Sequence, residues 1–176
     1  MNVYEAIKSR CSVRSYKPQA VEPEKLHRIL EAGRLAPSGR NLQLWKFVVV
    51  QDAERREELA RLSDQPWMAT APAIIAVVST EPHRIMHCNV PAAPVDCAIP
   101  IDHMTLAATA EGLGSCWIGH FNQHPCKKLL GVPETMQIIE MLALGYASDQ
   151  PAEKDRKPFD EVICYEQFSH GKDTTQ

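Results

Sequence analysis

The sequence predicts one layered domain in which β-strands alternate with α-helices, and three observations carry that reading. The chain has 176 residues, of which 44% are apolar and 23% charged, as expected of a single globular domain able to build its own core. Short β-branched apolar runs, such as Trp45 to Val50 and Ala73 to Val78, recur between segments whose apolar residues fall at helical spacing. Such alternation implies an α/β arrangement of helices layered on a sheet.

Taken in order, the segment Asn2 to Arg10 places Val3, Ala6 and Ile7 on one helical face. A second helix runs from about Pro23 to Leu35, with Leu26, Ile29, Leu30 and Gly33 inward. Pro23 suits a first-turn position, where its missing N–H would be unpaired in any case. The turn-rich stretch APSGRNLQLW leads into Trp45 to Val50, which reads as a buried strand. Glu54 to Leu62 is a charged surface helix, and Ala73 to Val78 a second buried strand entered through Pro72. Pro82, Pro91 and Pro94 make residues 81–94 a loop or lid. The longest helix, Pro94 to Leu113, is apolar on most sides and therefore central, with Gly112 and Gly114 ending it. Ser115 to Ile118, Gln123 to Leu130 and Gln137 to Leu144 then read as strand, short helix and strand. A polar tail follows from Ser148, with a last β-like run at Glu161 to Tyr165. This tail has no evident place in a compact monomer and points to a partner subunit. Residues 1–170 form the single domain, and 171–176 are expected to be a flexible extension.

Composition excludes several classes. Nineteen basic against twenty-two acidic residues give a net charge of −3, without the basic excess that nucleic-acid binding by counterion release requires. No apolar run reaches the ~18–20 residues that span a bilayer. The opening MNVYEAIKSRC lacks the apolar core of a signal peptide, so a cytoplasmic location is expected. Six cysteines, Cys11, Cys88, Cys97, Cys116, Cys126 and Cys164, contain no CxxC pair. They read as reduced thiols rather than as a disulfide framework or zinc ribbon.

Four motifs carry chemistry. In RCSVR, Arg10, Ser12 and Arg14 alternate, so an extended stretch projects them to one side. Two forked guanidiniums and a hydroxyl suit a phosphate, although a solvated basic turn has the same letters. In PSGRNLQLW, Ser38, Asn41 and Gln43 crowd ahead of a strand and Gly39 permits close backbone approach, or else these side chains only satisfy local backbone groups. GLGSCWIG, residues 112–119, lies between helix and strand, the reverse of the dinucleotide-binding order, and leaves a backbone-lined edge at Ile118 and Gly119. Lys154 and Arg156 in the polar tail are a solvated charge run or the completion of a phosphate clamp with Arg10 and Arg14. Two His/Cys groupings, His83/His87/Cys88 and His120/His124/Cys126, sit on no convincing helix, and no metal is expected.

In this order and spacing, IKSRCSVRSYKP, LAPSGRNLQLWKFVVV, GLGSCWIG and DRKPFDEVI resemble the nitroreductase family of FMN-dependent oxidoreductases, over about residues 2 to 165. The resemblance implies an α+β fold, a three-layer α/β/α sandwich with a mostly antiparallel central sheet, in an intertwined homodimer. It implies FMN as cofactor, NAD(P)H as donor, and a nitroaromatic, quinone or similar planar acceptor, with ping-pong kinetics. By position, Arg10, Cys11 and Ser12 correspond to the loop at the FMN phosphate and ribityl chain. Arg14 corresponds to the basic group at the ribityl chain or the pyrimidine edge, where it stabilises charge during hydride transfer. Ser38, Gly39 and Asn41, with Gln43, correspond to a segment supplied by the partner subunit. Ile118 and Gly119 match the backbone near flavin N5, and Lys154 and Arg156 the late basic pair on the phosphate. No side-chain nucleophile is implied. Two departures are Leu44, where many members have Pro, and the shortness of 81–94. The resemblance leaves room for FMN chemistry other than reduction of an acceptor, by dehydrogenation or flavin fragmentation. Outside catalysis, the alternative is an FMN- or metal-binding module with Cys11 as a redox sensor.

Overall fold

A computed structural model describes residues 1–149 and 154–169. Ten regular elements follow in chain order: α1 (Val3–Ser9), α2 (Pro23–Arg34), β1 (Trp45–Val50), α3 (Ala53–Leu62), β2 (Ala73–Ser79), α4 (Ala92–Ala110), β3 (Gly114–Ile118), α5 (Gln123–Leu130), β4 (Gln137–Gly145) and α6 (Phe159–Val162). The strands form one sheet in the order β1-β2-β4-β3, and each neighbouring pair is antiparallel. Helices cover both faces, so the architecture is the expected α+β sandwich of three layers rather than a parallel α/β sheet.

Side-chain alternation along β2 and β4 explains the layering. Ala73, Ile75, Val77, Leu142 and Leu144 face one cluster with α2 and α4. Ile74, Ala76, Val78, Met141 and Ala143 face the other, with α3, α5 and the turn Pro66–Thr70. Because both faces are covered, β2 is buried along its whole length. β1 lies at the sheet edge and is only half-buried, with Val50 its one fully buried residue, so the expectation of a buried strand needs that correction. Between Val77 and Val78 the register jumps from Glu140 to Ile138, leaving Ile139 as a bulge in β4. Gln123, in the first turn of α5, pins the bulge: its Nε2 donates to the Ile138 carbonyl at 2.7 Å and its Oε1 accepts from the Ile138 N–H at 3.1 Å.

α4 is apolar on most sides and sits at the centre, with Cys97, Ile101, Met104 and Ala108 all but inaccessible. It closes at Gly112, whose φ of +77° is left-handed. Gly114 does not end the helix as expected. It begins β3, where a β-carbon would stand 2.6 Å from Val13 Cγ2, so its role is close packing.

Two further expectations fail. On α1, capped by a reciprocal Asn2–Glu5 box, only Ala6 is buried, while Val3 and Ile7 are 56% and 52% exposed. The run Glu161 to Tyr165 forms no strand: it begins in α6 and continues as irregular chain. Among the described residues no strand lies beside it to pair, and Phe159, Tyr165 and Phe168 are each at least 70% exposed. The extension 171–176 lies outside the described residues.

Candidate functional site

The RCSVR segment is tied to β3. The Val13 N–H donates to the Ser115 carbonyl at 3.0 Å, and Ser12 forms an isolated bridge with Ser115. This alternation buries Val13 and leaves Ser12 and Arg14 exposed. Tyr16 anchors the segment from below, its hydroxyl donating to the Val13 carbonyl at 2.8 Å. Burial, with the nearby Cys116 thiol, drives the Tyr16 hydroxyl far above its ordinary range. Cys116 marks where the side chains converge: burial pushes its thiol up, while Arg14, a hydrogen bond from Ser12, and Arg10 pull it down.

The tail completes this corner. Lys154 Nζ donates to the Ile7 carbonyl at 3.2 Å, across 147 positions of sequence. Partial burial, then the adjacent Arg10 and Arg156, hold its ammonium below the ordinary lysine range, and Cys11 acts in the opposite sense. Arg10, Lys154 and Arg156 are therefore one electropositive cluster, with Arg14, Ser12 and Cys11 beside it. Like charges crowded in this way raise the local potential and favour an anion rich in oxygen acceptors.

The Ser38–Gln43 loop is built differently. Arg40, Asn41 and Gln43 all have left-handed φ, between 52° and 58°. For Arg and Gln that conformation costs about 1–2 kcal/mol each, so the surroundings must hold the loop. Ser38 Oγ accepts from the Gln43 N–H at 2.9 Å, and the Gly39 N–H donates to Asp96 Oδ1 at 2.9 Å. Gln43 Nε2 turns back to the Asn41 carbonyl at 3.1 Å. The side chains of Ser38 and Gln43 thus do serve local backbone groups, the simpler of the two readings of this stretch. None of the described hydrogen bonds joins the loop to the basic cluster within one chain.

The end of β3 opens a third region. Ile118 is buried and Gly119 exposed, at a cleft of about 420 Å³ between Gly119, Phe121 and Glu140 on one side and, on the other, Pro82 and Pro91 of the segment read as a loop or lid. That segment ends at Pro91, because Pro94 already lies in the first turn of α4. Burial raises the Glu140 carboxyl above the usual carboxylate range. Every other glutamate with a resolved shift is lowered, each with a hydrogen-bonding partner to hold its charge.

The family model described as the nitroreductase family matches residues 7–65 and 53–146. The chain is 30% identical to the FMN reductase (NAD(P)H) of Bacillus subtilis, an alignment that covers 98% of this chain and 77% of the relative. The chain belongs to the nitroreductase family. Oxidoreduction is accordingly its class of activity. Among solved structures, it is similar to the NADPH:FMN oxidoreductase of Vibrio harveyi complexed with NAD+, with a TM-score of 0.87 at 26% identity over 96% of this chain and 79% of the other. The FMN-dependent nitroreductase of Clostridium difficile R20291 gives 0.82 at 27% identity, over 93% and 98%.

Within this nitroreductase-family chain, the residues present fit the phosphate of a cofactor. The basic cluster is crowded with like charge around Lys154, which the phosphate of a bound cofactor would relieve. The His/Cys groupings do not converge: among the described residues no three His, Cys, Asp or Glu side chains are placed to hold a metal ion. Cys126 is fully buried, its thiol raised to about 11 by burial, and Cys88 is exposed. No helix among the described residues is long and apolar enough to cross a membrane.

Sequence reasoning passed over Tyr16, Asp96 and Glu140. The signal for the last two was present. Each is a lone carboxylate inside an apolar run, PAAPVDCAIPI for Asp96 and QIIEMLALG for Glu140, where an unpaired charge is costly unless it serves a structure or a site.

Proposed function

We propose that this protein is an FMN-dependent NAD(P)H oxidoreductase that reduces a nitroaromatic, quinone or comparable electron-poor planar acceptor. The observation that carries the reading is the convergence of Arg10, Lys154 and Arg156 from opposite ends of the chain, with Ser12 and Arg14 alongside. Arg10, Lys154 and Arg156 would hold the FMN phosphate by charge-assisted hydrogen bonds, and Ser12 would bond the ribityl chain. When bound, FMN supplies hydride chemistry at its N5. Arg14 places positive charge toward the pyrimidine edge, where it favours the negative charge that develops during reduction. The backbone of Ile118 and Gly119 would lie toward N5, and Gly119, with no side chain, would leave that approach open. Glu140, Phe121, Pro82 and Pro91 bound a cleft that donor and acceptor would occupy in turn, so ping-pong kinetics are expected.

The site reads as shared between two copies of the chain. Val3, Tyr4 and Ile7 on α1 and Phe159, Tyr165 and Phe168 of the tail are exposed apolar groups, more than a monomer of this size commonly leaves bare. A second copy that covers them would bring its Ser38–Gln43 loop to the basic cluster, which the loop does not contact within its own chain. A homodimer is the partner this reading requires.

The deciding experiment is the visible spectrum of the purified protein, recorded before and after NADH or NADPH is added without oxygen. A bound-flavin spectrum that bleaches is expected. A protein that stays colourless after incubation with FMN would sink the proposal. A flavin spectrum unchanged by either nucleotide would redirect it to FMN chemistry with another donor.

A further inference from the structure

Asp96 is the one acidic side chain in the second turn of a helix whose other positions there are apolar, and it is 6% exposed. Its two carboxylate oxygens are divided between two loops. Oδ1 accepts from the Gly39 N–H at 2.9 Å, and Oδ2 accepts from Arg84 Nη1 at 3.4 Å. Arg84 closes the triangle. Its Nη1 and Nη2 lie 3.4 and 3.6 Å from where a β-carbon on Gly39 would stand. The lid, the N-terminal end of α4 and the Ser38–Gln43 loop therefore meet at one buried carboxylate.

A carboxylate buried here needs a purpose, because taking a charge out of water is costly unless its partners offset the loss. The loop supplies one. Three of its non-glycine residues are in left-handed φ, a conformation that persists only where neighbouring contacts over-determine it. Gly39 begins the strained turn, and the bond from its N–H to Asp96 is what ties that turn to the rigid body of the fold. Pro100 sits one helical turn after Asp96 and has no N–H to give the Asp96 carbonyl, so the helix is already loosened where the carboxylate turns toward the loop.

We propose that Asp96 is a positioning residue for the cofactor, setting the Ser38–Gln43 loop through the Gly39 amide, with Arg84 coupling the lid to the same carboxylate. The inference rests on the flavoprotein reading above. Asp96 acts on the loop's geometry and touches neither cofactor nor substrate.

The test compares wild type, Asp96→Leu, Asp96→Ala and Asp96→Asn. Dissociation constants for FMN are taken from quenching of flavin fluorescence, and thermal midpoints and Gly39 amide hydrogen exchange from the FMN-free proteins. Leu suits the apolar helix, and Ala is a second variant with the same reading should Leu fail to fold. Asn keeps an oxygen that can accept from the Gly39 N–H. The expected result is FMN affinity at least tenfold weaker in Leu or Ala, faster Gly39 exchange in the same variants, and Asn within about threefold of wild type. Undiminished FMN affinity in Leu or Ala, beside a wild type that binds, overturns the inference alone. Asn as impaired as Leu overturns it too, because the retained acceptor would then have been irrelevant. A wild type that binds no FMN overturns the flavoprotein reading and this inference with it.

Discussion

The Glu140 carboxyl lies against Gly119, with Oε2 3.3 Å and Oε1 3.5 Å from the position a β-carbon on Gly119 would occupy. It is there because the bulge at Ile139 shifts the register, so that Glu140 pairs with Val77 while Ile138 pairs with Val78. Burial is the only resolved cause of its raised pKa. The folded protein therefore keeps this proton to higher pH than the unfolded chain does. Between the unfolded and folded pKa values folding takes up a proton, so stability falls as pH rises through that window and stays lowered above it. Glu140→Gln is expected to stabilise the FMN-free protein by about 1 kcal/mol at neutral to alkaline pH. The gain should shrink as pH is lowered toward the ordinary value of 4.5. Urea midpoints at a series of pH values check this, and a gain independent of pH would refute the burial argument.

The basic cluster makes a second prediction. Arg10→Ala and Arg156→Ala should each weaken FMN binding by about 1.5–3 kcal/mol, the usual worth of a charge-assisted hydrogen bond, or about 10- to 150-fold in dissociation constant. Each should also flatten the salt dependence of binding, since fewer charges remain to be screened. Arg14→Ala should act otherwise, slowing reduction of bound flavin by NAD(P)H more than it weakens binding. Fluorescence titration of the FMN-free protein and anaerobic stopped-flow reduction separate the two effects. Normal flavin retention in both Arg10→Ala and Arg156→Ala would overturn the phosphate assignment.

Packing between the RCSVR segment and β3 is testable without any cofactor. A β-carbon at Gly114 would meet Val13 Cγ2 at 2.6 Å and Val13 Cβ at 2.9 Å. Val13 is held in place by its own N–H bond to Ser115 and by the Tyr16 hydroxyl on its carbonyl. It cannot swing aside as a surface side chain would. Gly114→Ala should therefore cost about 1–3 kcal/mol by overpacking, and Tyr16→Phe about 1 kcal/mol for the lost hydrogen bond. The two changes touch the same segment, so the double variant should depart from additivity. Chemical denaturation of the three variants measures this, and a neutral Gly114→Ala would mean that the segment yields.

How much of this was legible in the sequence depended on the range of the interaction. Elements governed by local chemistry were readable almost to the residue. Trp45–Val50 and Gln123–Leu130 coincide with the expected spans, because apolar periodicity and flanking turn residues act within a few positions. In RCSVR, alternation was legible for the same reason: Val13 is buried while Ser12 and Arg14 are exposed, and Arg10, Ser12 and Arg14 all act on Cys116. That Lys154 joins them depends on a contact 147 residues away in sequence, so the letters alone left it open between a clamp and a solvated charge run. The failures share a cause as well. Val3 and Ile7 have the spacing of a buried face, and Glu161 to Tyr165 the composition of a strand. Spacing and composition do not say whether another surface is there to receive them. Asp96 and Glu140 stand out as lone carboxylates in apolar runs, but what each meets depends on contacts distant in sequence. For Asp96 these are the Gly39 amide and Arg84, and for Glu140 the close approach of Gly119.

Two buried serines give the last prediction. Ser63, which follows α3, and Ser115 on β3 are 0% and 3% exposed, and neither hydroxyl has a hydrogen-bond partner among the described residues. An unpaired buried hydroxyl forfeits its hydration without return, a penalty of about 1–3 kcal/mol. Alanine removes the hydroxyl at the cost of a small cavity, so each Ser→Ala variant should gain up to about 1 kcal/mol in the FMN-free protein. The two positions differ in their surroundings. Ser63 closes α3, its N–H bonded to the Leu59 carbonyl, whereas Ser115 forms a backbone bridge with Ser12 of the RCSVR segment. Thermal midpoints of both variants, without and with FMN, exploit that difference. Equal gains in both states are expected for Ser63→Ala. A Ser63→Ala variant that loses stability would mean that its hydroxyl is bonded in solution after all. A loss at Ser115 alone, and only with FMN present, would place that hydroxyl among the groups that hold the cofactor.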